Sequence, residues 1–179
     1  MPDKTIEVVA LNNIDAASYA KKHGMTAQNK DLRPAIAMRI QGGELGRCDY
    51  MPFKTEPYQQ VFEYVFDDRD PAEDCPNMTE TNGIKSIKQA GFIPFDKDLA
   101  AIILNDFRSG QKRNVQLVVV HCYQGRRRSP AVAMALNNAF KLGNSGMDPC
   151  KPCREYQGYN RFVYKTMMAV AQRMTARQE

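Results

Sequence analysis

The segment from Val118 to Pro130 constrains the fold more than any other part of the chain. The segment from Gln116 to Val120 contains a continuous and mostly β-branched apolar run, which is typical of a strand buried on both faces of a parallel sheet. Ser129 and Pro130 predict a helix start, with a hydroxyl near the cap and a proline where no N–H is needed. This helix is expected to run to about Leu142. A buried strand, a tight loop and a helix therefore follow one another.

The loop from Cys122 to Arg128 is predicted to bind a tetrahedral oxyanion. Between a strand and a helix N-terminus, successive backbone N–H groups and the positive end of the helix dipole point into one concavity. The same donors favour a thiolate, so Cys122 is a candidate nucleophile. Gly125 lets the backbone turn close to a ligand. Arg128 can fork onto two oxygens of a phosphoryl group.

The pattern His-Cys, five residues, Arg-Ser, with glycine third after the cysteine, resembles the signature of cysteine-dependent protein tyrosine and dual-specificity phosphatases. The resemblance implies a two-step reaction through a cysteinyl-phosphate and no cofactor. Cys122 would attack phosphorus, Arg128 would orient the phosphoryl group and Ser129 would help Cys122 to leave. His121 would tune the thiolate and hold the loop through hydrogen bonds. The implied phosphate-binding residues are Tyr123, Gln124, Gly125, Arg126, Arg127 and Arg128.

This chemistry needs a general acid on another loop, because the leaving oxygen must be protonated as it departs. The alternating run from Val61 to Phe66 predicts a strand, and an acidic loop follows it. Phe66-Asp67-Asp68 is similar to the acid loop of small bacterial members of the family, which makes Asp68 the first candidate. Asp67 is second and Asp70 third, and the carboxylates not used as the acid are expected to be turn residues.

The distance along the chain between this acid loop and Cys122 is longer than in many dual-specificity enzymes. Residues 72–92 are therefore expected to form an inserted loop or lid. Asp96 and Asp98 lie at a more familiar distance from the cysteine, although Asp96 is predicted to cap the next helix.

The rest of the chain predicts a scaffold in which strands alternate with helices. This favours an α/β fold with a mostly parallel central sheet flanked by helices, which the resemblance makes dual-specificity-phosphatase-like, in one domain spanning residues 1–179. Two more strands and three more helices are expected at Glu7–Leu11, Ala35–Ile40, Asp15–His23, Asp98–Ser109 and Tyr159–Arg177.

Composition and sequence pattern indicate the cellular compartment of the protein. No N-terminal signal and no apolar run long enough to span a bilayer are visible, and the five cysteines are an odd number. We therefore expect a reducing, cytoplasmic location. Cys150 and Cys153 form a lone CxxC, which is only half of a zinc site, so no metal is predicted. The pair is expected to be an incidental reduced pair in a surface loop or, alternatively, a redox pair.

The substrate depends on two arginines that the signature does not require. The net charge of +5 favours an acidic partner. Arg126 and Arg127 suggest a polyanionic ligand such as a phosphoinositide, an inositol phosphate or an RNA 5′ end, unless they pair with acidic neighbours such as Asp67 or Asp70. Aromatic interleaving typical of nucleic-acid binding is not evident.

Three functions thus follow from the sequence. The first is hydrolysis of phosphotyrosine, extending to phosphoserine and phosphothreonine, in proteins. The second is the same chemistry on a polyanionic substrate. The third, less favoured, is an inactive phosphate-binding module.

Overall fold

The structure, a computed structural model of the chain, describes residues 6–29, 31–43, 53–149 and 154–176. These residues form one sheet of four parallel strands in the order β1-β4-β2-β3. The strands are β1 (Glu7–Asn12), β2 (Ala35–Gln41), β3 (Gln60–Val65) and β4 (Leu117–Cys122). The predicted α/β fold with a parallel sheet is confirmed.

Helices cover both faces of this sheet. They are α1 (Asn13–Lys22), α2 (Pro71–Asp74), α3 (Glu80–Gln89), α4 (Lys97–Lys112), α5 (Arg128–Ala139) and α6 (Arg161–Ala176), with a 3₁₀ turn at Arg154–Tyr156. Buried side chains of α4, α5 and α6 form the larger core on one face, whereas α1 covers the smaller core on the other. None of the described helices is long and apolar enough to cross a membrane.

Strand β4 occupies an inner position between β1 and β2, which explains its continuous apolar sequence. Val118, Val120 and Cys122 face the larger core, whereas Leu117 and Val119 face the smaller one. The strand ends two residues later than the predicted Val120, so it carries Cys122 to the carboxyl edge of the sheet.

Some predicted element boundaries are wrong. Helix α4 does not stop before Gly110 but continues to Lys112. Gly110 is buried there, and a Cβ on it would lie 2.9 Å from Ile36 Cδ1, so this glycine serves close packing of α4 on β2 rather than termination. Helix α5 ends at Ala139 rather than near Leu142.

The segment 72–92 contains more regular structure than the predicted inserted loop. Most of α2 and all of α3 lie within it. Ile87 is buried and Ile84 packs against the larger core, so part of the segment is tied to the body of the protein.

Candidate active site

The Cys122 thiol lies at the carboxyl end of β4 beside the start of α5. Only 2% of Cys122 is exposed. Its Sγ lies 3.2 Å from the Ser129 Oγ, and that hydroxyl is also 3.2 Å from the Leu11 carbonyl oxygen. The serine hydroxyl can therefore accept from a thiol while donating to Leu11, or turn to donate to a thiolate. A hydroxyl that is placed in this way stabilises the sulfur in both protonation states.

The predicted helix start is confirmed, because Ser129 and Pro130 lie in the first turn of α5, although the Ser129 hydroxyl does not itself cap the helix. The helix begins at Arg128, and Arg127 occupies the cap position with no side-chain hydrogen bond to the helix. The physical reason is that the Ser129 hydroxyl is already engaged by Cys122 and Leu11.

The loop after Cys122 leaves backbone donors free. Among the described residues, none accepts a hydrogen bond from the N–H of Gln124, Gly125 or Arg126. Gly125 has a φ of 70°, and a Cβ on it would lie 2.5 Å from the Asn12 backbone nitrogen. Only glycine fits this close approach to the end of β1. Unpaired N–H groups in a tight loop at a helix N-terminus form an anion-binding concavity.

Arg128 is held by the acid loop. Its Nη1 donates to the Phe66 carbonyl oxygen at 2.8 Å. A Cβ on Gly42 would lie 3.4 Å from that same Nη1, so the glycine after β2 leaves room for the guanidinium. The contact fixes one nitrogen of the Arg128 guanidinium and connects the loop of Cys122 to the end of β3.

His121 supports the loop from the opposite face of β4. Its Nδ1 lies 3.1 Å from the Asn13 side-chain oxygen, and the Asn13 N–H donates to the Tyr123 carbonyl oxygen. Since the amide oxygen can only accept, Nδ1 carries the proton, and the buried Nε2 is an acceptor that has no partner among the described residues. The predicted hydrogen bonding thus reaches the loop through Asn13, at the start of α1.

Burial, with a smaller contribution from the charge of Arg39, lowers the pKa of His121 to about 4. The imidazole is therefore neutral at neutral pH, and the Phe53 ring lies tilted against it with 4.8 Å between the ring centroids.

Acidification is expected to destabilise the protein through His121. The unfolded residue binds a proton near pH 6.5 and the folded residue only near pH 4, so between these values the unfolded state holds more protons. The free energy of unfolding should fall by about 3 kcal/mol from about pH 7.5 to about pH 4 on this account. Urea denaturation of wild type and His121→Gln across this range measures the difference. Equal pH slopes for the two proteins would contradict the prediction.

The three aspartates of the acid loop have different environments. Asp67 is 3% exposed, and its carboxylate accepts from the N–H groups of Gly43 and Ile93 at 2.8 and 2.7 Å. Asp70 is also buried and caps α2 by accepting from the Ala72 N–H. Asp68 alone of the three lines the pocket of about 200 Å³ that contains Cys122. Asp96 caps α4 as predicted, and Asp98 lies exposed in its first turn.

A polar network holds Asp68 at this pocket. Arg127 Nε lies 3.0 Å from one carboxylate oxygen, and the Asn160 side-chain amide donates to the other at 2.9 Å. The second partner of Arg127 is Glu73, 2.7 Å from its Nη2. Arg127 therefore pairs with acidic neighbours, as one alternative predicted, but with Asp68 and Glu73 rather than Asp67 or Asp70.

Asn160 is a site residue that sequence reasoning missed. It is fully buried, its backbone N–H donates to the Arg127 carbonyl oxygen, and its side-chain oxygen accepts from the Val163 N–H. It thus joins the acid loop, the cysteine loop and the start of α6. An asparagine directly before the helix was the available signal, since asparagine is a favoured cap.

The remaining predicted loop residues divide between two cavities. Tyr123, Gln124, Arg127 and Arg128 line the pocket of Cys122 and Asp68. Gly125 and Arg126 line a neighbouring cavity, and Gln124 borders both. Cys150 and Cys153 lie outside the described residues, within which no cluster of three metal-ligating side chains occurs.

The chain resembles solved phosphatase structures. PTPMT1 matches with a TM-score of 0.50 at 12% identity, over 96% of this chain and 94% of that one. Human DUSP28 gives a TM-score of 0.48 at 15% identity, over 95% and 94% of the two chains. Human tyrosine phosphatase-like serine/threonine/tyrosine-interacting protein gives 0.49 at 13%, over 96% and 92%. No protein-family model and no curated protein sequence matches.

The α/β fold with a parallel sheet, which the sequence predicted, is therefore shared with PTPMT1.

Proposed function

We propose that the protein is a cysteine-dependent phosphatase that hydrolyses phosphate monoesters through a cysteinyl-phosphate. One observation carries the proposal: Cys122, Arg128 and Asp68 line the same pocket, although they come from two loops far apart in the chain. A nucleophile, a cationic fork and a carboxyl group around one concavity are the groups that phosphoryl transfer requires.

In the first step, the Cys122 thiolate attacks phosphorus and the bond from phosphorus to the ester oxygen breaks. Asp68 protonates the departing oxygen, while Arg128 and the free N–H groups of the loop bind the phosphoryl oxygens. When Asp68 is protonated, its ion pair with Arg127 is lost, and Arg127 keeps Glu73 as a partner.

In the second step, water attacks the cysteinyl-phosphate and Asp68 accepts its proton. The bond between sulfur and phosphorus breaks, and the Ser129 hydroxyl turns from the Leu11 carbonyl to donate to the departing thiolate. Inorganic phosphate leaves, and Cys122 is again a thiolate.

Two substrate classes have support. Tyr123 is 57% exposed and lines the pocket, where an aromatic side chain could flank phosphotyrosine in a protein. A polyanionic substrate is favoured by Arg126, which is exposed and pairs with none of the described acidic residues. Arg127 gives less support to a polyanion than the sequence suggested, because two carboxylates already neutralise it.

The proposal is tested by hydrolysis of p-nitrophenyl phosphate by wild type and Arg128→Lys. Wild type should turn over at mildly acidic to neutral pH. The lysine variant should lose about 10²–10³-fold in kcat/KM, since an ammonium cannot form the two parallel hydrogen bonds of a guanidinium. Absence of wild-type turnover, with phosphate still bound, would instead favour an inactive phosphate-binding module.

A further inference from the structure

A second cavity lies on the other side of the cysteine loop. Its volume is about 820 Å³, against about 200 Å³ for the pocket of Cys122. It lies where β1 ends, α1 begins and the 3₁₀ turn passes the loop. Asn12, on its wall, is paired in register with Cys122 in the sheet. Adjacent strands are separated by about 4.8 Å, so the cavity begins one strand away from the thiol.

Two arginines enter this cavity from different parts of the chain. Arg126 belongs to the cysteine loop, and Arg154 opens the 3₁₀ turn. Both are exposed, and neither forms an ion pair with another of the described residues. Two unneutralised guanidinium groups on one concave surface are a recognition site for an anion.

One acidic residue also lines the cavity, and its charge has partners of its own. The Asp15 carboxylate accepts from the Asn12 side-chain amide at 2.8 Å and lies 3.7 Å from the Lys22 ammonium. It therefore competes only weakly for the two arginines, and the part of the cavity wall that the structure describes remains cationic.

We propose that Arg126 and Arg154 form a second phosphate-recognition subsite, so that the substrate is a compact small molecule with two phosphate groups. This inference rests on the proposed phosphatase function. One phosphate occupies the pocket of Cys122. The substrate extends past Gln124, which borders both cavities, and its second phosphate contacts the two arginines. The described wall of the second cavity is mostly polar, with apolar side chains only from Ala10, Leu11 and Tyr156, which suits a polyol phosphate better than a peptide.

The test compares KM values for inositol monophosphate and inositol bisphosphate in wild type, Arg126→Gln, Arg154→Gln and the double variant. Wild type should show a KM about tenfold or more lower for the bisphosphate. Each single variant should reduce this ratio about tenfold, because a charge-assisted contact is lost. Arg173→Gln is the matched control, since Arg173 is exposed on α6 away from both cavities and should leave both KM values unchanged.

Three outcomes would overturn the subsite. They are equal wild-type KM values for the two inositol phosphates, an unchanged ratio in both arginine variants, and an arginine dependence found only with a doubly phosphorylated peptide. The same KM measurements with a short-chain phosphatidylinositol monophosphate distinguish recognition of a lipid headgroup from recognition of free inositol bisphosphate.

Failure of the subsite is distinguishable from failure of the phosphatase function. Turnover of p-nitrophenyl phosphate without a bisphosphate preference would overturn the subsite alone. If wild type shows no turnover, calorimetric binding of inositol bisphosphate to Cys122→Ser still tests the subsite, and Arg126→Gln in that background should weaken binding about tenfold. Equal affinities in that comparison would overturn it.

Discussion

Replacing Cys122 by serine should lower kcat for aryl phosphate hydrolysis by about 10⁴–10⁶-fold. A serine hydroxyl in this position has no strong base beside it to remove its proton, and alcohols are much weaker acids and poorer nucleophiles than thiols. Loss of the nucleophile in a covalent mechanism removes nearly all rate enhancement except that of binding and oxyanion stabilisation. Steady-state turnover of p-nitrophenyl phosphate measures the loss.

The same substitution should leave the fold and anion binding intact. Serine is close to cysteine in shape, and its hydroxyl can bond to the Ser129 Oγ that now lies 3.2 Å from the sulfur. Cys75→Ser is the matched control, because Cys75 is partly buried but lines a different cavity, and its kcat should stay within about twofold of wild type. Substantial turnover in Cys122→Ser would contradict the proposed nucleophile.

Replacing Asp68 by asparagine should slow hydrolysis by about 10²–10⁴-fold when the leaving group is poor, as in phenyl phosphate. The loss should be much smaller with p-nitrophenyl phosphate, because that leaving group departs without full protonation. Asparagine can keep the hydrogen bond from Asn160 that now holds the carboxylate at 2.9 Å, but it loses the ion pair with Arg127 together with the acid. Arg127 keeps Glu73 as a partner in this variant. A series of aryl phosphates of increasing leaving-group pKa measures the dependence.

Asp67→Asn and Asp70→Asn are the controls for this assignment. Asp67 accepts from two backbone N–H groups, and the side-chain amide N–H of an asparagine would face one of them without an acceptor between them. That variant should lower the free energy of unfolding by about 1–3 kcal/mol. If the steep leaving-group dependence appeared in either control and not in Asp68→Asn, the acid would be reassigned.

The cysteine loop could be predicted because its determinants are local. A β-branched run, a glycine at a left-handed position and a helix start lie within about fifteen residues, and each has its own physical signature. The helix starts within one residue of the predicted Ser129. The contacts of the Ser129 hydroxyl with Cys122 and Leu11 are tertiary, and no local pattern predicts them.

The acid loop shows why sequence alone left three candidates. Asp67, Asp68 and Asp70 have the same chemistry and nearly the same position along the chain. Asp67 and Asp68 are distinguished by distant partners, Ile93 and Asn160, whereas Asp70 caps α2 two residues away. The pairing of Arg127 with Glu73 is equally non-local. No periodicity or spacing encodes such contacts, so only the folded structure separates the candidates.

Mass spectrometry of the protein quenched in acid during turnover tests the central claim most directly. The account predicts that wild type, mixed with an aryl phosphate and quenched within one turnover, gains the mass of one phosphoryl group on the peptide containing Cys122. Asp68→Asn should accumulate this species when the leaving group is good, because hydrolysis of the intermediate also uses Asp68. Turnover without a phosphorylated cysteine, or with the phosphoryl group on another residue, would contradict the account.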